Sequence, residues 1–215
     1  LTAEVTHEIN NILDMLQSKL YLLEKDLDSR STPAVKNRMK SIKKQIERIS
    51  VFTDNILQFN HPLSNKRKRI NLNSMLDAVI SDYQEEDSNG LKFHKQLDNR
   101  VPVLLGNPLN IEIVLRNLVK NSVEAVQRNG TVTVTTELNS SNEIVCAVSD
   151  NGQGIDKKVM NHVYDPFFTT KEGSGGSGLG LGICRNIIEA HNGSLWLESE
   201  KGKGTTAFIT IPVSG

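Results

Sequence analysis

The sequence DNGQG at residues 150–154 closes an apolar, β-branched run, and GSGLGLG follows at residues 176–182. An Asp at the end of a strand, followed by two glycines, predicts a tight turn. The second stretch opens an apolar helical pattern, so we expect a glycine-rich loop that leads into a helix N-terminus. The N–H groups of such a loop can approach an anion closely, and the helix dipole favours negative charge there. An acceptor for an exocyclic amine and a loop for an anion together indicate a purine nucleotide site.

The composition describes an ordinary globular protein of 215 residues, with 37% hydrophobic and 23% charged residues and a formal net charge of +0. This length suits one large domain or two smaller ones. A chain without excess positive charge gives no support for nucleic-acid binding. No apolar run approaches the ~20 residues that span a bilayer. We therefore expect no nucleic-acid partner and no membrane contact from this chain.

The two cysteines and the first residue bear on where the protein works. The spacing of Cys146 and Cys184 matches no metal site, so we interpret both as buried, reduced thiols of a cytoplasmic protein. The chain begins at Leu1, inside a helical pattern and without an initiator Met. We expect it to be part of a longer protein.

Residues 1–62 differ in texture from the rest, because the first sixty residues contain no glycine. Two stretches carry apolar residues at alternating steps of four and three, the heptad spacing of helices that pack side by side. These residues are Val5, Ile9, Leu13, Leu16, Leu20, Leu23 and Leu27, then Val35, Met39, Ile42, Ile46, Ile49 and Ile56. A turn at residues 28–33 separates them, which predicts an α-helical hairpin. Two short amphipathic helices are more stable as half of a four-helix bundle, so we expect a homodimer through this hairpin.

Residues 63–70 contain a basic run that we predict to be a linker and hinge. Residues 71–215 then form a second domain in which short strands and helices alternate. The predicted elements are a helix over 108–128 and two strand pairs, 131–136 with 143–149 and 194–199 with 205–212. Helices before and between antiparallel strands indicate an α+β sandwich, and we expect Trp196 and Phe208 in its core.

Two asparagines, Asn117 and Asn121, share one face of the predicted helix because they are four residues apart. Two amide oxygens at the edge of a core can coordinate a hard cation such as Mg²⁺, which keeps several waters and takes few protein ligands. Lys120, beside them, could meet a phosphate. The alternative is that both asparagine side chains cap neighbouring loops, and the pair alone does not decide between the two.

Four blocks follow one another in a defined order: Asn-x₃-Asn at 117–121, DNGQG at 150–154, DPFF at 165–168 and the glycine run at 176–182. They resemble the N, G1, F and G2 boxes of the sensor histidine kinases, and residues 202–206 resemble the closing G-x-G-T segment. HEINN at residues 7–11 resembles the phosphoacceptor H box. The resemblance implies a dimerisation and histidine-phosphotransfer hairpin followed by a Bergerat-type ATP-binding domain, within a longer sensor of a kind that can be membrane-associated.

The resemblance also implies the activity of a protein-histidine kinase, which uses ATP and Mg²⁺. The γ-phosphoryl group would pass to His7 and then to an aspartate of a response-regulator receiver domain. The implied nucleotide-binding residues are Asn117, Lys120, Asn121, Asp150, Gly152, Gly154, Ile155, Phe168, Lys171, Ser177, Gly178, Leu179, Gly180, Leu181, Gly182 and Thr206, with Asn117 and Asn121 as metal ligands. Gly152 and Gly154 would let the base lie flat, and residues 164–177 would form a lid. A P-loop is excluded, because no Gly-Lys-Ser/Thr ending is present.

His7 is expected to point to solvent, because it lies roughly 200° around the helix from the apolar residues Val5 and Ile9. An exposed, neutral imidazole can act as a nucleophile towards a γ-phosphoryl group. Glu8 can take the other proton of the ring or orient it. Taken alone, His7 would be an ordinary surface histidine, and the nucleotide site is what favours a catalytic role.

The residues next to His7 bear on the balance between kinase and phosphatase activity. Asn11 lies one turn after His7 and resembles the polar residue that, in this family, orients water for a phosphatase reaction; a solvated helix side chain is the alternative. Ile12 stands where the family usually has proline, and Asn10 where a basic residue is common. These departures leave open a dimeric scaffold or a phosphatase-biased regulator.

A further hypothesis is an ATPase whose hydrolysis drives a conformational change. Related Bergerat ATPases carry a Glu one turn before the metal-binding Asn, where it activates water. This chain has Asn117 at that position, which is not a base. The sequence therefore favours phosphoryl transfer over hydrolysis.

Overall fold

The computed structural model describes residues 13–23, 35, 38–39, 42, 46, 67–85, 90–126, 128–165, 168–169 and 178–213. The chain forms two compact units, of which one contains residues 1–62 and the other begins at residue 63. The predicted site residues His7, Glu8, Asn11, Lys171 and Ser177 lie outside the described residues. The predicted turn at 28–33 and most of the predicted linker lie outside them as well.

The described residues of the second unit form α-helices and two β-sheets. The helices are α1 (Leu72–Glu85), α2 (Pro108–Ala125) and α3 (Gly180–Ala190). The strands are β1 (Lys68–Ile70), β2 (Lys92–Leu97), β3 (Leu104–Gly106), β4 (Thr131–Leu138), β5 (Glu143–Asp150), β6 (Ser194–Glu200) and β7 (Gly204–Pro212). Strands β1 and β3 pair with each other, and the larger sheet has the order β2-β4-β5-β7-β6. Its strands are antiparallel except for the parallel pair β2 and β4.

Both predicted strand pairs are confirmed, and each forms a hairpin. In the first, Val132 of β4 lies opposite Asp150 of β5. In the second, Glu200 of β6 lies opposite Gly204 of β7. Strands β5 and β7 then pair with each other, so that Asp150 lies opposite Thr205. The end of the strand that carries Asp150 therefore lies beside the turn of the β6–β7 hairpin.

The core lies between one face of the five-stranded sheet and the helices. Alternate side chains along each strand are buried, as the period of a strand requires. The buried residues of β4, β5 and β7 include Val132, Val134, Ile144, Cys146, Val148, Ile209 and Ile211, and those of α2 and α3 include Ile111, Val114, Leu115, Leu118, Val119, Ile183 and Ile188. This arrangement is the predicted α+β sandwich. Within the described part of the chain, we find no helix of the length and apolar character that a membrane span requires.

The prediction that Trp196 belongs to the core is wrong. Its side chain is 37% exposed on β6, whereas the neighbouring Leu195 is 9% exposed. Because successive side chains of a strand point to opposite faces, burial of Leu195 directs Trp196 away from the helices. There its ring stacks on the half-buried Phe208, with ring centroids 5.0 Å apart and planes 8° apart.

Helix α2 begins where its sequence signals place it. Asn107 caps the N-terminus by accepting hydrogen bonds from two backbone N–H groups of the first turn, at 3.0 and 3.4 Å, and Pro108 follows it. The helix ends at Ala125 rather than at residue 128. The reason is that Val126 adopts an extended backbone, with φ −82° and ψ 150°, while its N–H still donates to Ser122 O.

His191 ties the end of α3 to the start of α2. Its buried ring donates from Nδ1 to Ile187 O at 2.7 Å, because a carbonyl oxygen can only accept. Nε2 accepts from the backbone N–H of Asn107 at 3.2 Å. These two bonds require a neutral ring with its proton on Nδ1. The helices α2 and α3 are therefore held together at this end by a side chain whose partners the sequence did not identify.

The predicted linker overlaps a strand. Residues Lys68–Ile70 form β1, in which Lys68 pairs with Gly106 and Ile70 with Leu104. Ile70 is 4% exposed, so its burial against the second unit stabilises the pairing. Residues 68–70 of the predicted linker therefore belong to the fold of the second unit.

The first unit shows part of the predicted heptad pattern. Residues 13–23 are helical. A buried cluster contains Leu13, Leu20, Met39 and Ile46, with Val35 packed against it. The other described heptad residues, Leu16, Leu23 and Ile42, are 45%, 49% and 50% exposed. This exposed apolar seam is what a second hairpin would cover, and the homodimer stays a prediction.

Leu16→Glu is expected to weaken self-association at least about 100-fold. Each Leu that a dimer buries contributes roughly 1.5–3 kcal/mol, and a two-fold dimer buries it twice. Sedimentation equilibrium of the wild type and the variant would measure the change. Gln17→Glu, at an exposed position beside the seam, is the control and should keep the wild-type mass. A dimer of unchanged strength in Leu16→Glu would contradict the prediction.

Both cysteines are buried and free, as predicted. Burial raises the pKa of each thiol from 9.0 to about 12. Since the thiolate is the reactive form, we expect the native protein at pH 8 to react slowly with Ellman's reagent, and the urea-unfolded protein to react at once at both thiols. Rapid reaction of the native protein would contradict this expectation.

The same pKa shifts predict how stability depends on pH. The unfolded chain releases the thiol protons near pH 9, whereas the folded chain retains them until about pH 12. The stabilisation that comes from the two neutral, buried thiols is therefore complete below pH 9. It is lost as the pH rises from 9 to about 12. We expect the thiols to lower the free energy of unfolding by about 1.4 kcal/mol per pH unit each.

Candidate nucleotide-binding site

Asp150 ends strand β5 and is 8% exposed. Its Oδ1 accepts hydrogen bonds from the backbone N–H groups of Gly152 at 2.8 Å and Thr205 at 3.3 Å. The first bond is the turn contact that an Asp before Gly commonly makes. The second bond joins the carboxylate to β7. Together they set the direction of the carboxylate at the end of the sheet.

The glycines of the following turn are required by close backbone packing. A Cβ atom at Gly152 would lie 2.4 Å from Ala125 O, at the end of α2. At Gly154 φ is +64°, and a Cβ atom would lie 2.1 Å from Glu200 O. The turn is thus held between α2 and the β6–β7 hairpin. This packing requires glycine whether or not a flat base also lies here.

The two threonines that follow Gly204 lie on opposite faces of the sheet. The hydroxyl of Thr206 hydrogen-bonds Ser149 Oγ at 2.8 Å, on the face of the sheet that carries Phe208 rather than the helices. Thr205 lies opposite Asp150 and reaches its carboxylate. Because side chains alternate along a strand, only one of the two threonines can face Asp150. Thr205 is therefore the threonine on the same face as Asp150, and a nucleotide contact of Thr206 stays a prediction.

Asn117 of α2 presents its amide oxygen to the start of α3. Its Nδ2 donates to Ile113 O at 2.9 Å, within the same helix. A Cβ atom at Gly180 would lie 2.8 Å from Asn117 Oδ1. The absence of a side chain at Gly180 is what lets the first turn of α3 approach this oxygen.

The two glycine motifs meet the same face of α2. Gly152 lies against Ala125, and Gly180 lies against Asn117. The half-buried Asn121 lies four residues from each, so it occupies the middle of this face. Eight residues of helix span about 12 Å. One helix face therefore connects the buried carboxylate at one end with a helix N-terminus at the other.

The start of α3 has the form that the glycine run predicts. Leu179, 4% exposed, accepts the N–H of Ile183 at 2.9 Å, and Gly178 has φ +68°. Gly180, Leu181 and Gly182 form the first turn of the helix. The first N–H groups of a helix have no partner within it, which suits them to bind an anion.

A magnesium ion would fit the amide oxygens of α2. Among the described residues, no group of three or more His, Cys, Asp and Glu side chains could hold a metal. Asn117 already uses its amide nitrogen within the helix, so its oxygen is the atom left to face a cation. Asn121 would add a second oxygen, and phosphate and water would complete the shell. Lys120 lies 3.9 Å from Glu124 in an exposed pair, which holds the ammonium only weakly.

The first described residue of the predicted lid, Tyr164, contacts α3. The ring of Tyr164 lies 5.3 Å from the Arg185 guanidinium. Phe168 is half-buried; its N–H donates to Asp165 O at 3.1 Å, and its ring centroid lies 6.0 Å from that of His162. These contacts hold Tyr164 and Phe168, while residues 166–167 and 170–177 of the predicted lid lie outside the described residues.

Sequence reasoning missed two residues of this site, Thr205 and Ser199. Ser199 Oγ accepts the N–H of Ile155 at 2.8 Å and therefore holds the end of the turn that begins at Asp150. Thr205 carried no signal in the local pattern, because its position opposite Asp150 depends on the pairing of β5 with β7. Ser199 carried no signal, because Ile155, the residue that it holds, lies 44 residues away in the chain.

Comparison with known proteins places this site in a family. Residues 106–215 match the family of histidine kinase-, DNA gyrase B- and HSP90-like ATPases. Signal transduction histidine-protein kinase AtoS of Escherichia coli is 28% identical over 215 residues, which cover 100% of this chain and 34% of AtoS. The chain thus spans about a third of this relative.

Two solved structures are similar to the chain. The catalytic domain of histidine kinase ThkA has a TM-score of 0.62 and 32% identity, over 69% of this chain and 97% of that domain. ThkA in complex with the response regulator TrrA has a TM-score of 0.71 and 28% identity, over 99% of this chain and 60% of that chain. The chain therefore belongs to the family of histidine kinase-, DNA gyrase B- and HSP90-like ATPases and contains the catalytic, ATP-binding core of a sensor histidine kinase.

Proposed function

We propose that this chain is an ATP-dependent protein-histidine kinase that phosphorylates His7 and passes the phosphoryl group to an aspartate of a response-regulator receiver domain. The observation that carries the proposal is the shared face of α2, where Gly152 packs at one end and Gly180 at the other. ATP would lie along this face, with its base at the Asp150 end and its phosphates at the start of α3.

At the base end, the adenine amino group would donate to Asp150. A carboxylate offers about four lone-pair sites, and Oδ1 is already oriented by two backbone N–H groups. Because the carboxylate is buried, a donor at the correct place contributes more than it would in water. Gly154 and Ile155, in the same turn, would lie against the base.

At the phosphate end, the ligands would come from two helices. Asn117 and Asn121 would hold Mg²⁺, which supplies charge neutralisation to the phosphate oxygens when bound. The N–H groups at the start of α3 would donate to the phosphates. The remaining contacts would come from Lys120, Phe168, Lys171, Ser177, Gly178, Leu179, Gly180, Leu181 and Gly182.

The nucleophile would be the neutral imidazole of His7, in the hairpin of residues 1–62. A ring nitrogen attacks the γ-phosphorus while the bond to the bridging oxygen breaks, and ADP leaves. Glu8 would take the other proton of the ring. Asn11 would orient water against the phosphorylated regulator in a phosphatase reaction. The segment between the hairpin and β1 would allow the two domains to meet.

The proposed partners are a second copy of the chain and a response regulator. The exposed seam of Leu16, Leu23 and Ile42 supports a homodimer through the hairpin, because apolar surface of this kind is stabilised by burial. The similarity to ThkA, whose structure includes a response regulator, supports the second partner.

Incubation with γ-labelled ATP and Mg²⁺ tests the proposal. We expect acid-labile label on the wild type and none on His7→Gln. His94→Gln is the matched control, since His94 is exposed on β2, and it should label as the wild type does. An unlabelled wild type would overturn the kinase proposal, and a labelled His7→Gln would overturn the choice of His7. Steady-state hydrolysis without any label would instead support the ATPase hypothesis.

A further inference from the structure

The end of the β6–β7 hairpin, residues 199–205, contacts the turn that follows Asp150. We call this set of contacts the clasp. The N–H of Gly202 donates to Gln153 O at 2.7 Å. Lys201 and Asp156 form an ion pair at 3.2 Å, in which both side chains are well exposed. An exposed pair of this kind contributes little, so the backbone and hydroxyl contacts carry most of the clasp.

Ser199 lies at the centre of this clasp and uses its full hydrogen-bonding capacity. Its Oγ accepts the N–H of Ile155 at 2.8 Å and donates to Gly204 O at 2.9 Å. The hydroxyl of Thr205 lies 2.8 Å away. A serine hydroxyl has one hydrogen and two lone-pair sites. Since its hydrogen goes to Gly204 O, Thr205 is the donor in the remaining bond.

These bonds close a ring that includes the carboxylate of Asp150. Asp150 begins the turn that ends at Ile155, Ile155 is bonded to Ser199, and Ser199 is bonded to Thr205. The N–H of Thr205 returns to Asp150 Oδ1 at 3.3 Å. At Gly204, a Cβ atom would lie 1.9 Å from Asp150 O, so the strands are in direct contact inside the ring. Loosening Ser199 would therefore allow the turn and the carboxylate to move.

We propose that Ser199 is a positioning residue for base selection, which fixes the direction of the Asp150 carboxylate through this ring. The proposal rests on the proposed function, in which Asp150 accepts the amino group of adenine. Guanine carries a carbonyl oxygen where adenine carries that amine. A rigid carboxylate favours the amine and repels the carbonyl oxygen, whereas a mobile one discriminates less well.

The test compares the dissociation constants of ADP and GDP, measured by calorimetry on the full chain. We expect Ser199→Ala to reduce the preference for ADP about tenfold, mostly through weaker ADP binding. Ser199→Thr keeps the hydroxyl and should restore the preference to within about threefold. Ser194→Ala removes an exposed serine from the same strand, and its preference should equal that of the wild type.

Equal losses of ADP and GDP affinity in Ser199→Ala would overturn the inference, because they would indicate general support of the fold. An unchanged preference would overturn it as well. Thr205→Val is a second variant that keeps its backbone N–H and its shape but removes the hydroxyl bonded to Ser199. Thr205→Val should reduce the preference for ADP over GDP by a smaller factor than Ser199→Ala does. If Ser199→Ala fails to fold, Thr205→Val tests the inference in its place. A wild type that does not prefer ADP would overturn the proposed base contact itself.

Discussion

Asp150→Asn is expected to lower the affinity for ADP at least about 100-fold while the fold persists. The Asn side chain keeps one oxygen, which can still accept the N–H groups of Gly152 and Thr205. Its second group becomes an NH₂ donor, which would face the amino donor of adenine. The lost charge-assisted bond and the opposed donors together account for roughly 3 kcal/mol.

Calorimetric titration with ADP would measure this loss, and thermal unfolding would establish that the variant is folded. Asp156→Asn is the matched control. Asp156 directly follows this turn, but its side chain is 41% exposed and paired with Lys201, so its change should alter ADP affinity less than about threefold. Wild-type affinity in Asp150→Asn would exclude Asp150 as the base contact. Loss of the cooperative unfolding transition would instead assign the carboxylate a structural role.

Gly204→Ala is expected to destabilise the second domain by about 3–5 kcal/mol, through strain and overpacking. The backbone φ of Gly204 is +113°, and a Cβ atom would lie 1.9 Å from Asp150 O. The neighbouring strand would have to move, because the nearest atoms belong to backbone rather than to a flexible side chain. Such a movement would also separate Thr205 from the carboxylate.

Gly202→Ala separates the effect of the positive φ from the effect of the close backbone contact. Gly202 also has a positive φ, +83°, but nothing lies within 4 Å of the position of its Cβ atom. Its substitution should therefore lower stability by only about 1–2 kcal/mol. For a domain of this size, about 1 kcal/mol shifts the melting temperature by roughly 2–4 °C. Circular dichroism melts should show a drop about twice as large or more for Gly204→Ala, and equal drops would contradict the contact.

The elements of the fold that rest on local signals could be predicted. Alternation of apolar residues indicated β4, β5, β6 and β7, and Asn107 with Pro108 marked the start of α2. The order of the strands in the sheet could not be predicted in this way. It depends on β5 pairing with β7, which brings together residues that are far apart in the chain.

The predictions that failed concern which face or which element a residue joins. Trp196 is apolar, but the burial of Leu195 sends it to the outer face of the sheet. Ile70 directly follows a basic run that is typical of a linker, yet it is buried because β3 offers it a partner. In both cases the composition of the segment was compatible with burial and with exposure. Packing against the neighbouring element decided between the two.

The residues of the candidate site also fall into two groups, those that the sequence identified and those that only the structure revealed. The glycines, Asp150 and the two asparagines could be identified because their spacing in the chain is specific. The structure adds a second reason for Gly152 and Gly154, since both are needed for backbone contacts with Ala125 and Glu200, and the flat base stays a prediction. The roles of His191 and Ser199 became visible only through Asn107 and Ile155, which lie 84 and 44 residues away in the chain.

By itself, the sequence determined the kind of protein, because turn chemistry, helix capping and strand alternation act between residues close in the chain. The order of its motifs specified the nucleotide site and its family. Only the tertiary structure decided that both glycine motifs meet one face of α2, and that Thr205 rather than Thr206 faces Asp150. The physical reason is that register and close backbone approach depend on which strands and helices pack together, and those contacts join residues that local patterns cannot relate.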